Sequence, residues 1–62
     1  MKKYIIEDSF GAIVCGFSNT LEEAIFTRSE KDFLFFNSEK DAQNFINKCI
    51  WEDDLEIKIW NK

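Results

Sequence analysis

With 62 residues, the chain has room for one small domain, residues 1–62. Twelve acidic against eight scattered basic residues leave a formal net charge of -4, which disfavours a nucleic-acid backbone as ligand because such binding needs clustered Lys and Arg. Histidine and proline are absent and glycine occurs twice, so imidazole catalysis, histidine metal ligation and glycine-rich phosphate loops are excluded together.

The composition, 45% hydrophobic, 16% aromatic and 32% charged, is that of a folded protein. A core of this size supplies about 3–5 kcal/mol unaided, so aromatic packing or association must supplement it. The apolar stretch after Lys2 and Lys3 stops at Glu7, too early for an export signal, and the longest apolar run, 12–17, is far short of a membrane span. Two cysteines, Cys15 and Cys49, are too few for a secreted disulfide framework and are expected as buried thiols of a cytoplasmic protein.

In chain order, 4–8 and 12–17 are short β-rich runs around Ser9-Phe10-Gly11, where a glycine can take positive φ, and together they predict a hairpin. Thr20 and Glu23 form a capping-box pattern ahead of Leu21, Ala24 and Ile25, which predicts one or two turns of helix over 20–26. The charged stretch 28–32 reads as a surface turn, and Phe33-Leu34-Phe35-Phe36 as a short buried strand. Ser38 is a good N-cap for a helix over 39–50, because Ala42, Phe45, Ile46, Cys49 and Ile50 recur at i, i+3, i+4, i+7 and i+8. Residues 51–54 make an acidic loop. Leu55, Ile57 and Ile59 then alternate with Glu56, Lys58 and Trp60 as a closing strand.

The expected fold class is α+β: a four-stranded, mostly antiparallel sheet with one main helix on one face. The expected strand order is 3-2-1-4, with the third and fourth strands parallel across a right-handed helical crossover. Core candidates are Ile6, Ile13, Cys15, Leu34, Phe36, Ala42, Phe45, Ile46, Cys49, Leu55, Ile57 and Ile59. The second half, Phe36-Asn37-Ser38 followed by Ala42, Phe45-Ile46 and an alternating strand, with a tyrosine-initiated hairpin before it, resembles small phage and prophage accessory proteins. The resemblance implies a mobile-element factor that acts by binding, and it supplies no catalytic residues.

Cys15 falls in an apolar strand, and Cys49 near a helix C-terminus, where the dipole opposes a thiolate, so neither is expected as a nucleophile. The acids Glu52, Asp53, Asp54 and Glu56 lack calcium-loop spacing and a glycine for the turn, so no metal or cofactor is expected. Phe17, Phe33 and Phe35 would make a base-stacking platform only within a basic frame, which the sequence lacks, so they are expected in the sheet core.

Strands two and three carry apolar residues on both parities, which predicts a leftover apolar patch at Val14, Phe33 and Phe35 and a homodimer built on it. A second partner is expected at Trp51, Glu52, Asp53, Asp54, Glu56 and Trp60, where tryptophans anchor and acids steer a host protein with a basic surface. Neither nucleic acid nor membrane is expected as a partner. The expected function is a non-enzymatic protein-binding factor, an inhibitor or modulator of a host or defence protein. The alternatives are a self-assembling structural protein and an acidic partial mimic of nucleic acid.

Overall fold

The computed structural model describes residues 2–49 and 54–61. Strands β1 (Lys3–Glu7), β2 (Ile13–Ser18), β3 (Glu23–Thr27) and β4 (Glu56–Trp60) form one sheet in the order β3-β2-β1-β4, with every neighbouring pair antiparallel. Helix α1 (Glu39–Lys48) packs on one face, so the α+β class is as expected.

The hairpin turn is built by Asp8, whose Oδ1 accepts from Phe10 N and Ala12 N at 2.9 Å each, while Gly11 takes φ 84°. An aspartate that caps its own turn and a glycine at positive φ are what this sharp reversal requires. From the end of β3, the Arg28 guanidinium donates to Phe10 O at 2.9 Å and ties the loop down.

Two expectations for the middle of the chain are overturned. The stretch 20–26 is not helical: a turn around Asn19–Glu22 leads into β3, which pairs with β2 along its length. A helix of one or two turns is marginal in water, whereas Ile25, Phe26 and Thr27 favour a strand and the open edge of β2 offers a ladder of hydrogen bonds. The stretch 33–36 is extended but is not the third strand of the ladder. It lies between β1 and β2, where Phe36 exchanges two backbone hydrogen bonds of 2.9 Å with Tyr4, and Leu34 N donates to Val14 O at 3.0 Å. Among the described residues, β1 and β2 pair directly at Glu7 and Ile13, and beyond that point the inserted segment separates them.

The order of strands follows hairpin adjacency as expected, with 23–27 as the third strand in place of 33–36. The expected parallel relation of the third and fourth strands does not hold. β3 and β4 are the two outer strands, and three successive antiparallel pairings make them run in opposite directions.

The buried cluster under α1 comprises Ile6, Val14, Ala24, Ala42, Phe45 and Cys49, with Tyr4, Phe17, Phe26, Leu34, Phe36, Ile46, Leu55 and Ile57 packed against it. A bulge decides which β2 residues join: Val14 lies opposite Phe26 but Gly16 opposite Ile25, so Cys15 is an extra residue. The extra residue shifts the parity and puts Val14 and Phe17, three apart, on the helix side. Of the expected core residues, Ile13 is buried, with Ile5 and outside this cluster, whereas Cys15 is only half-buried. Ile59 is also outside it, 49% exposed on outer strand β4.

The helix starts as the sequence indicates, with Ser38 Oγ accepting from Asp41 N at 3.1 Å. It ends at Lys48, and Cys49 caps it by donating its N–H to Ile46 O. Ile50 lies outside the described residues. Phe45 is the hub of the packing, edge-on to Phe17 at 5.7 Å and to Phe36 at 5.4 Å between ring centroids.

Candidate functional site: an aromatic cluster on the helix-free face

Side chains alternate across a strand, so the neighbours of the core residues turn to the side without a helix. On β1 these are Lys3, Ile5 and Glu7, and on β4 Glu56, Lys58 and Trp60, paired across as Lys3 with Trp60, Ile5 with Lys58 and Glu7 with Glu56. The inserted segment obeys the same rule: Leu34 and Phe36 pack into the core, which sends Phe33 and Phe35 the other way.

Three rings meet there. Phe33 and Trp60 are 5.4 Å apart between centroids at 77°, Phe35 and Trp60 6.0 Å at 47°, and Phe33 and Phe35 6.3 Å at 58°. Edge-to-face and tilted pairs at these separations are attractive beyond the area they bury. Lys3 Nζ stands 5.2 Å from the centroid of the Phe35 ring, within cation–π range. Phe35 keeps 36% of its surface exposed. Further along the same face, Lys58 is salt-bridged to Glu7 and lies 3.9 Å from Glu56. The hydrogen bond to Glu7, with the charges of Glu7 and Glu56 behind it, raises the Lys58 pKa above the usual lysine value.

The structure thus brings together residues that the sequence assigned to two separate sites. Phe33 and Phe35, expected in a dimer interface, and Trp60, expected in a partner site, form one cluster. Val14 does not join them, because it is fully buried under α1. Phe17 is likewise on the helix side, so the trio Phe17, Phe33 and Phe35 is split between the two faces. Asp54 and Glu56 are exposed, and Trp51, Glu52 and Asp53 lie outside the described residues. Lys3, Glu7 and Lys58 were missed as members of this face. Their signal was present in the sequence, because β1 alternates Tyr4 and Ile6 against Lys3, Ile5 and Glu7 as plainly as β4 does.

Cys15 and Cys49 are thiols, and Cys49 Sγ points to Phe45 O at 3.4 Å inside the helix end. Among the described residues there is no enclosed pocket, no group of three His, Cys, Asp or Glu side chains placed to hold a metal ion, and no helix long and apolar enough to cross a membrane. What the arrangement can do chemically is present apolar ring surface with a cation at one end and carboxylates at the other. Comparison with protein-family models, with curated proteins and with solved structures gives no match.

Proposed function

We propose that the protein is a non-enzymatic binding factor that meets another protein through the helix-free face, with Phe33, Phe35 and Trp60 as the anchor. The observation that carries this reading is the three-ring cluster itself: large rings gathered on a sheet face away from the core, with Phe35 partly open to solvent. Aromatic anchors near the centre of an interface carry most of its binding energy, and charges at the rim steer the approach. The rim acids Asp54 and Glu56, with Glu52 and Asp53 beside them in sequence, suit a partner with a basic surface. The resemblance of the sequence to phage accessory proteins points to a host protein as that partner.

Affinity purification with the wild-type chain, with Phe35→Asp and with a charge reversal of Glu52, Asp53 and Asp54 tests the reading. The expected result is a protein retained by the wild type, lost with a folded Phe35→Asp chain, and captured more slowly by the charge reversal, whose melting temperature is nearly unchanged. Retention of that protein at full affinity by both variants overturns it.

A further inference from the structure

Strand β4 is outermost on its side of the sheet, and Tyr4 reveals which of its backbone groups point outward. Tyr4 gives both its N–H and its C=O to Phe36, on the side of β1 away from β4. Backbone groups alternate sides along a strand, so Lys3, Ile5 and Glu7 are the β1 residues that bond to β4, through Trp60, Lys58 and Glu56. Ile57 and Ile59 therefore present their N–H and C=O outward, where nothing pairs with them among the described residues. The strand has no proline and its ladder to β1 runs without a bulge, so it lacks two of the usual devices that blunt an edge.

We propose that β4 pairs antiparallel with the β4 of a second copy of this chain, about a two-fold axis through Ile57, to give one continuous eight-stranded sheet. The register follows from the charges. Centred on Ile57, the pairing sets Glu56 against Lys58 of the second copy, twice by symmetry, and sets Ile59, half exposed in the single chain, against Leu55 of the second copy. The two Ile57 residues exchange their outward N–H and C=O groups. Directly opposed residues on one face are neighbours, and opposite charges there are favourable. A shift by two residues in either direction puts Lys58 against Lys58 or Glu56 against Glu56. The charges thus select one register among those the backbone allows. Both side chains are available, with Glu56 70% and Lys58 47% exposed.

This inference is independent of the partner reading above. The two-fold axis stands perpendicular to the sheet, so both helices lie on one face and both aromatic clusters on the other, leaving Phe35 accessible in the dimer.

Sedimentation equilibrium at tens of micromolar, with far-UV circular dichroism as a check on folding, tests it. The wild type sediments as a dimer, and Lys58→Glu, which places like charges against Glu56 of the second copy, as a monomer. The double exchange Glu56→Lys with Lys58→Glu restores the dimer, because it swaps the ends of each pair and still leaves a cation beside Glu7. On the wild type alone, the Ile57 and Ile59 amides gain hydrogen-exchange protection as concentration rises. A monomeric wild type overturns the proposal, as does a folded double exchange that stays monomeric. A dimer that survives Lys58→Glu but is lost with Phe35→Asp also overturns it, since it would place the contact on the aromatic face.

Discussion

Tyr4 and Phe36 donate to each other across 2.9 Å at a position where continuing the Glu7–Ile13 register would bring Gly16 opposite Tyr4. The segment 33–36 takes up the backbone groups that Tyr4 would otherwise offer to β2. The segment is thus a structural part of the sheet. In native-state hydrogen exchange the amides of Leu34 and Phe36 are expected to be as protected as that of Ile6, within about tenfold. Exchange of both at the rate of the exposed Ser9–Phe10 turn would show that 33–36 is a surface loop.

Glu22 holds φ 54° in the turn between β2 and β3, a left-handed conformation in which the Cβ crowds the following carbonyl and which only glycine takes without strain. Glu22→Gly relieves about 1–2 kcal/mol of left-handed strain and costs about 0.4–1 kcal/mol in added freedom of the unfolded chain, so a small net stabilisation is expected, read as a rise in melting temperature. A fall in melting temperature would mean that the Glu22 side chain holds the turn.

Ser38 Oγ accepts from the Asp41 N–H at the start of α1 and so satisfies one of the donors that the first turn leaves open. Ser38→Ala is expected to cost about 1 kcal/mol, and Ser38→Asp to retain the cap and add a favourable charge at the positive end of the dipole. Thermal melts of the three chains should rank Asp at or above Ser, and Ala last.

Lys58 has its pKa raised in the folded chain by Glu7, so its charged form is favoured by folding. Its contribution is fully present below the usual lysine value of 10.5 and is lost as pH rises through the higher folded value. The melting temperature of Lys58→Met should therefore lie below that of the wild type by a constant margin from pH 6 to 9, and the margin should shrink as pH rises past 10.5. A margin that does not shrink at all above 10.5 would assign the effect to packing of the lysine stem. The measurement belongs at low protein concentration, where association does not contribute.

The elements that were legible in the sequence are those whose signal is local. The α1 periodicity, the Ser38 cap, the Gly11 turn and the alternation of β4 each depend on residues within one element, and each is found where expected, with α1 ending at Lys48 and not at 50. What was illegible depended on pairing across the chain. Leu21, Ala24 and Ile25 carry helical spacing, yet Ala24 and Phe26 carry strand spacing equally well, and the free edge of β2 decides between them. Cys15 reads as an inward residue until the bulge against Ile25 displaces it. The candidate site shows the same division: strand parity correctly turned Trp60 away from Ile57, but only the insertion of 33–36 between β1 and β2 could bring Phe33 and Phe35 to it.

The insertion also fixes an order of events in folding. Residues 3–18 hold two contiguous strands and a turn, and hairpins of that kind zip within about 1–10 μs, before more distant contacts form. Zipped fully, that hairpin would close the slot that Leu34 and Phe36 must enter. The productive route therefore joins β1 and β2 only near Glu7 and Ile13 and holds their far ends apart until the later segment arrives. Docking of Leu34 and Phe36 is on that account the step that completes this half of the sheet, and premature zipping of 3–18 would leave the chain without it.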